Sequence, residues 1–282
     1  MSRRARVLAA TLVGALLLGT GAAAAVGRWV LPTPDGEVLA ILLLGSDDGP
    51  PRGGDLERAR ADGFQLLFVA GDRRHASIIS IPRDAYVPVP GMGSTRINSC
   101  LVHGPQRCVE TAESVFGVEI DHYVLTNMRG FTRAVERIGG VEVDVPEALR
   151  VGGTSVAPGR ARLDGAEALV YARDRKNRSG GDFGRAAAQA ELLELLHAQV
   201  FEDPSPGNVL RTLRIVRRHT LTDLSGPELV RLGFEALHLP VGNVQRELAP
   251  GSLAMIGGAS VVRLQDRAYQ LVRDAADDGR IG

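Results

Sequence analysis

Lysine is almost absent from the chain. Lys176 is the only one among 33 basic residues, so nearly every cation is an arginine, whose planar guanidinium suits phosphate and carboxylate groups. Acidic residues also number 33, and a net charge of zero argues against the broad basic footprint of a nucleic-acid-binding protein. A compositional bias of the genome explains the arginine content more simply, but the chemical consequence is the same.

Cysteine is nearly as scarce. Cys100 and Cys108 are the only two, and none of the six histidines stands at a zinc-type spacing from either of them. This argues against a zinc site. In an exported protein, two closely spaced cysteines predict one disulfide, and two free buried thiols are the alternative.

The chain has a single long hydrophobic run, which lies near the N-terminus. Three arginines stand within residues 1–6, and residues 7–27 carry no charged side chain. About 20 apolar residues can cross a bilayer, and positive charge on the first flank keeps that end in the cytoplasm. A cleaved signal peptide is the alternative, because residues 22–25 offer cleavage motifs. Both alternatives export the rest of the chain.

This pattern predicts a single-pass protein of the cytoplasmic membrane with its N-terminus inside. The predicted parts are a cytoplasmic tail at 1–6, a transmembrane anchor at 7–30, a linker at 31–37 and an extracytoplasmic domain at 38–282. The membrane is therefore an expected partner. No internal repeat or second hydrophobic run follows, so we expect one domain.

Strand and helix patterns are intermixed within that domain. Strands are predicted at 38–44, 65–70, 76–81, 121–125 and 141–145, and helices at 109–116, 129–138, 164–171, 183–201, 206–219, 227–238 and 264–276. Asp164 and Asp182 are predicted to cap their helices. The expected fold class is α/β, with a central sheet flanked by helices on both faces.

Several segments place acids or arginines directly beside a predicted strand or helix. They are residues 45–47, 60–62, 80–84 with 96–98, and 171–175 with 182–189. Ligands of open α/β sheets bind at the carboxyl ends of strands, where carboxylates can hold Mg²⁺ and arginines can clamp phosphate oxygens. Together the segments predict a metal-assisted phosphate site, although a single Arg–Asp pair is more often a surface salt bridge.

The order and spacing of these segments resemble the LytR-CpsA-Psr family of bacterial cell-wall enzymes. That family shows Gly-x-Asp, Arg-Ser-Asp-Thr, Ser-Ile-Pro-Arg-Asp, Lys-Ile-Asn, Tyr-Val-Arg-x-Arg and Asp-x-Gly-Arg-x-x-x-Gln, and the corresponding segments here lie within residues 38–200. Arg96 replaces the lysine of the pattern and keeps its charge. Gly63 replaces the threonine, and Ala188 replaces the arginine usual before the glutamine. These two departures bear on the efficiency of the site.

The resemblance implies a reaction and a role for each residue. The family transfers a glycan phosphate from a polyprenyl-pyrophosphate carrier to a peptidoglycan hydroxyl, so the lipid-linked glycan and peptidoglycan are the implied partners. Asp47 and Asp62 would hold Mg²⁺ (or Mn²⁺) against the pyrophosphate. The pyrophosphate itself would be bound by Arg60, Arg83, Arg96, Arg173, Arg175, Arg185 and Gln189. Arg83, Asp84 and Arg185 are the implied catalytic residues; the general base stays open, because Asp84 can also serve only to orient Arg83.

Two other functions fit the same residues. The site could hydrolyse polyprenyl pyrophosphate with water as the acceptor, because an acceptor leaves no readable motif. The chain could also be a non-catalytic, membrane-bound transcriptional attenuator, although an exported domain cannot reach DNA and the cytoplasmic tail has about six residues. Leu192, Leu195 and Leu196 could line a slot for the lipid or simply pack in the core.

Overall fold

A computed structural model describes residues 36–47, 59–202 and 205–282. The predicted tail and anchor, and residues 31–35 of the predicted linker, lie outside these ranges. Within them, no helix has both the length and the apolar character needed to cross a bilayer.

The described residues form fourteen strands and seven α-helices. The strands are β1 (Leu39–Ser46), β2 (Ala61–Val69), β3 (Ala76–Ser80), β4 (Tyr86–Val89), β5 (Gly93–Arg96), β6 (His122–Asn127), β7 (Val141–Val145), β8 (Leu149–Val151), β9 (Thr154–Val156), β10 (Gly159–Leu163), β11 (Thr220–Thr222), β12 (Val244–Leu248), β13 (Gly251–Ile256) and β14 (Ala259–Leu264). The helices are α1 (Pro105–Phe116), α2 (Met128–Ile138), α3 (Gly165–Arg173), α4 (Gly181–Phe201), α5 (Pro206–His219), α6 (Gly226–Glu235) and α7 (Asp266–Asp278).

Six of the strands form a central mixed sheet in the order β11-β6-β1-β2-β3-β12. β1 is parallel to β6, and β3 is parallel to β12, whereas β2 runs against both of its neighbours and β11 runs against β6. The carboxyl ends of β1, β3, β6 and β12 therefore meet at one end of the sheet, where β2 and β11 begin. We call this the site end.

Helices pack on both faces of the sheet, as the sequence predicts. On one face, buried side chains such as Leu66 and Ile79 join a core with residues of α1 and α7. On the other face, the neighbouring pair Gln65 and Ser80 hydrogen-bonds to the carbonyl oxygen of Ala186 in α4, at 3.5 and 3.2 Å. Successive strand residues point to opposite faces, so both layers follow from the apolar runs of β2 and β3.

A second core lies beneath α3 and α4. β7 alternates buried and exposed side chains and pairs with β10, and the buried valines of β7 pack against both helices. Leu192 of α4 is buried in this core, and Leu195 and Leu196 pack against it. These three leucines therefore have a packing role, which was the alternative to a lipid slot.

Some of the predicted helix starts need correction. Asp164 caps α3 as predicted, and its capping box is completed by Glu167. Asp182 does not cap α4: the helix begins at Gly181 after Gly180, which adopts a left-handed conformation with φ of 78°. Asp182 instead turns its carboxylate towards arginines. The last helix begins at Asp266 rather than residue 264, because β14 takes up the residues before it.

The predicted Cys100–Cys108 disulfide is present and joins the 3-10 helix Ile97–His103 to α1. Closing a loop of this length stabilises a protein by about 2–3 kcal/mol. Replacing both cysteines by alanine should lower the free energy of unfolding by that amount, measured by urea denaturation. Mass spectrometry after thiol alkylation supplies the control, and two alkylated cysteines in unreduced protein would contradict the pairing.

Candidate active site

Asp62 is placed at the site end by an irregularity between β1 and β2. Gly45 pairs with Gly63 and Ser46 pairs with Ala61, so Asp62 is an extra residue in β2, as in a β-bulge. Such bulges re-aim a side chain and occur beside active sites. The hairpin partner β3 ends at Ser80, and Pro82 and Arg83 follow it, so the antiparallel pair brings Arg83 and Asp62 to the same end of the sheet.

Two acids and two arginines meet there. Arg83 Nη1 donates a hydrogen bond to Asp62 Oδ1, and Arg83 Nε lies 3.7 Å from Asp182 Oδ1. Arg185 Nη2 lies 3.0 Å from Asp182 Oδ1, and Arg185 Nη1 lies 3.9 Å from Asp62 Oδ1. We call Asp62, Arg83, Asp182 and Arg185 the central cluster.

In this cluster, burial lowers the pKa values of the two arginines, and the neighbouring carboxylates raise them. The Arg185 side chain is only 5% exposed, and burial lowers its pKa more than the nearby carboxylates raise it. Burial also lowers the pKa of Arg83, but Asp62, Asp182 and Asp84 outweigh it and leave the pKa raised. Both side chains thus remain cations, held by carboxylates in a partly dry environment.

Hydrogen bonding within the cluster is incomplete. Arg83 Nε, Arg185 Nε and both carboxylate oxygens of Asp182 are buried without a hydrogen-bond partner among the described residues. Buried polar groups of this kind are uncommon and mark sites where a ligand or ion completes the bonding. The cluster therefore has spare guanidinium donors for an anion, and spare Asp182 oxygens for a cation or a further donor.

Asp182 is the functional candidate that sequence reasoning placed wrongly. It stands three residues before Arg185 on the same helix, a spacing that puts two side chains on one face. That spacing was the available signal, but an acid at a helix start was interpreted as a cap.

Arg173 and Arg175 flank the end of α3, where Asp174 organises the loop leading to α4. The Asp174 carboxylate is buried and accepts hydrogen bonds from the backbone of Arg150, Lys176 and Asn177. These bonds together outweigh burial and lower its pKa. Neither arginine forms an ion pair within the described part of the chain, but Arg175 is close enough to Arg185 to lower its pKa. Both arginines are thus available to a ligand.

The side-chain amide of Gln189 forms its hydrogen bonds within the protein. Its Nε2 donates to the carbonyl oxygen of Ala172 at 3.1 Å, and its Oε1 accepts from Gln65 Nε2 at 3.4 Å. A side chain at Gly63 would meet Gln189 Oε1 at 3.2 Å, so glycine there makes room for this bond. Ala188 is buried in the second core, and an arginine at this position would have to leave that core.

The remaining predicted residues lie around the cluster. Asp84 bridges the arginines, with Oδ2 at 3.7 Å from Arg83 Nε and Oδ1 at 3.4 Å from Arg96 Nε. Arg96 also donates to the carbonyl oxygen of Ser260, which holds the β13–β14 hairpin beside the site. Asp47 and Arg60 are exposed, and the Asp47 carboxylate accepts from the Arg60 backbone at 2.8 Å.

Asp47 and Asp62 can contribute to a magnesium site only together with a ligand. Among the described residues, no group of three or more acids, histidines or cysteines could hold a metal ion. Mg²⁺, however, commonly takes one or two carboxylates and completes its shell with water and substrate phosphate oxygens. Both aspartates lie at the site end, so this oxygen donor set fits an ion completed by a phosphorylated substrate.

The sequence of the chain fits one known protein family. The model of the LytR_cpsA_psr family matches residues 29–277, which include every element described above except the last residue of α7. The chain belongs to this family. The membership accounts for the shared motifs, since each lies at the site end or in the loop between α3 and α4.

Members of the LytR_cpsA_psr family with assigned names are similar over most of the chain. A polyisoprenyl-teichoic acid–peptidoglycan teichoic acid transferase TagU from Oceanobacillus iheyensis is 34% identical over 203 residues, which cover 70% of this chain and 62% of the relative. A TagU from Enterococcus faecalis is 29% identical over 239 residues, covering 84% and 78%. The chain therefore spans about three fifths of the first relative and nearly four fifths of the second.

Solved structures share the fold of this chain. Bacillus subtilis TagV superposes with a TM-score of 0.76 at 24% identity, over 86% of this chain and 96% of the other. TagT bound to LI-WTA gives a TM-score of 0.70 at 24% identity, over 89% and 94%.

Gly184 fixes how closely α4 approaches the loop before it. A Cβ at Gly184 would lie 2.1 Å from the carbonyl oxygen of Ser179, whereas a Cβ at Gly207 of α5 would meet nothing within 4 Å. Gly184→Ala should therefore displace the start of α4, with Asp182 and Arg185, and lower the melting temperature by several degrees (about 1–3 kcal/mol of overpacking). Gly207→Ala is the matched control, and equal melting temperatures for the two variants would contradict the steric role.

Proposed function

We propose that this protein is a phosphotransferase that moves a polyprenyl-pyrophosphate-linked glycopolymer onto peptidoglycan and releases polyprenyl phosphate. The observation that carries the proposal is the central cluster, in which the buried Arg185 and the half-buried Arg83, both with spare donors, meet two carboxylates at the site end. The names of the TagU relatives support the same substrate classes. We also propose that the domain works outside the cytoplasmic membrane, held by an anchor at residues 7–30.

Phosphoryl transfer depends mainly on positioning the two substrates and on neutralising the negative charge of the phosphate oxygens. A peptidoglycan hydroxyl attacks the phosphorus that carries the glycan, loses its proton, and forms a new P–O bond. The bond from that phosphorus to the bridging oxygen breaks, and polyprenyl phosphate leaves with the electron pair. Arg83 and Arg185 are fixed by their carboxylate partners and can donate to oxygens whose charge grows in the transition state.

In this proposal, the other arginines add positive charge to the same anion site. Arg175 is close enough to Arg185 to lower its pKa, and Arg173 at the end of α3 and Arg60 just before β2 would add their charges on binding of the pyrophosphate. Mg²⁺ bound by Asp47 and Asp62 would neutralise further charge on the pyrophosphate. Asp84 orients Arg83 and Arg96, which makes it a positioning residue in this arrangement.

The decisive experiment uses the full chain in nanodiscs, a lipid-linked glycan labelled in the sugar, and peptidoglycan. If the protein is a transferase, the label should become covalently attached to peptidoglycan. Polyprenyl phosphate should be released in an equal amount. Release of polyprenyl phosphate with free glycan phosphate, at the same rate without peptidoglycan, would instead identify a hydrolase. Binding of the lipid without release of any product would favour the non-catalytic regulator.

Removing divalent cations should abolish product release. Asp47 and Asp62 add negative charge beside the pyrophosphate, and a divalent cation held between them would offset the repulsion. Chelation with EDTA should stop turnover, and added Mg²⁺ or Mn²⁺ should restore it. Unchanged single-turnover rates after chelation and gel filtration would contradict the assignment of Asp47 and Asp62.

A further inference from the structure

Arginines crowd one surface of the domain, formed by the contacting helices α2 and α5. They are Arg129, Arg133 and Arg137 on α2 and Arg211, Arg214, Arg217 and Arg218 on α5. Residues three or four apart share a helix face, so each helix presents one row, and all seven residues are exposed. We call these seven arginines the basic surface.

Few acids accompany the basic surface, and one of them is Glu202, which directly follows α4 and lines a pocket with Arg137 and Arg211. Glu136 is the one acid in the α2 and α5 sequences. Among the described residues, none of the seven arginines forms an ion pair, whereas other exposed arginines do: Arg160 pairs with Glu142 at 3.0 Å, and Arg267 with Asp274 at 3.4 Å. Because the chain as a whole is neutral, this surface concentrates positive charge.

Besides burial, arginines of both rows lower the pKa of the same residue, His219. His219 ends α5, and its pKa is lowered by burial and then by Arg133, Arg218 and Arg137. These arginines come from both helices. A positive field therefore extends across the pair, and it is not local to either row.

The basic surface reaches the site end of the sheet. α2 begins directly after β6, which ends there, and α5 ends directly before β11, which begins there. Arg129 and Arg218 thus lie nearest the site end, and Arg137 lies about 12 Å further along α2. The sequence places the predicted anchor just before β1, which begins at the end of the sheet opposite the site end. The predicted linker of seven residues spans about 25 Å at most, so the anchor would lie nearer to the Arg137 end of the basic surface.

We propose that the basic surface docks the domain on a bilayer that contains anionic phospholipid. Arginine is drawn to an anionic leaflet, and each one near the surface strengthens attachment about fivefold. Leu210 shares the exposed face of Arg214 and Arg217 and is 42% exposed; an apolar side chain there gains from the headgroup boundary but not from a soluble polyanion. A short linker would keep this large anionic surface within reach, and docking would hold the site end close to lipid-borne substrates.

The test needs neither donor nor acceptor, so its outcome is independent of the proposed transfer reaction. The full chain is placed in nanodiscs of phosphatidylcholine alone or with phosphatidylglycerol, and hydrogen exchange is followed by mass spectrometry. Peptides covering α2 and α5 should exchange at least about fivefold more slowly in the anionic discs, which is the factor expected from a single arginine. The difference should vanish in 1 M salt, where charges are screened beyond about 3 Å.

Charge reversal supplies the matched variants. Arg133→Glu with Arg214→Glu should remove the protection, whereas Arg263→Glu with Arg273→Glu, exposed arginines outside the basic surface, should keep it. Equal exchange in the two kinds of disc would overturn the proposal, and so would loss of protection in both double variants. Soluble poly(glycerol phosphate) is added to the neutral discs as a further arm. Protection by this polymer, with none from the anionic discs, would assign the surface to a polyanionic chain and likewise overturn it.

Discussion

Arg83→Ala is expected to slow glycan-phosphate transfer about a hundredfold or more in protein that remains folded. Arg83 donates to Asp62 and lies beside Asp182, so its guanidinium is fixed before a substrate arrives. Losing one preorganised donor to a transition-state oxyanion costs about 10²–10³ in rate. Single-turnover rates and melting temperatures measured on the same preparations test this expectation.

The variant series separates a shared site from a purely structural contact. Arg83→Lys keeps the charge but loses the planar fork, so it should fall between wild type and Arg83→Ala. Asp62→Ala with Arg83→Ala should be little worse than the poorer single variant, because groups that act as a unit are not additive. If Arg83 only held its loop through Asp84, Arg83→Ala would melt earlier while turnover by the folded fraction stayed normal.

The parts of the fold that the sequence predicts well are those with continuous apolar runs. β1, β2 and β3 are buried on both faces or nearly so, and all three were predicted. β2 nevertheless begins at Ala61, four residues before its predicted start, because the polar Asp62 and Gly63 interrupt the apolar run. β12 was missed because its sequence, Val-Gln-Arg-Glu-Leu, is mostly polar, as an edge strand permits. The β13–β14 hairpin had a readable signal in Gly257–Gly258, both with positive φ, between two alternating segments.

The sequence predicted which segments form the candidate site, but not which side chains contact each other within it. Motif order identified Asp62, Arg83 and Arg185, and the topology brings all three to one end of the sheet. The sequence could not reveal that Arg96 would be bound to a carbonyl of β14, or that the Gln189 amide would be used within the protein. Such contacts depend on long-range packing, which local patterns do not encode.

The second large effect is expected at the Arg185–Asp182 pair. Arg185 is almost fully buried, and Asp182 is its nearest carboxylate, at 3.0 Å. Removing one partner of a buried pair leaves an uncompensated charge and costs about 3–5 kcal/mol. Asp182→Asn keeps the shape of the side chain, and Asp62 remains as a weaker partner at 3.9 Å, so we expect a loss near the lower end of that range, about 3 kcal/mol. Urea denaturation measures the loss.

Removing both charges separates the folding role of this pair from its role in transfer. In Asp182→Asn with Arg185→Met, no buried charge is left unpaired, so most of the lost stability should return. Transfer should nevertheless stay at least about a hundredfold slow, because the guanidinium that would bind the pyrophosphate is gone. A double variant that recovers stability and transfer together would show that Arg185 serves the fold alone. Recovery of stability without transfer would instead show that this buried arginine is held in place for the anion.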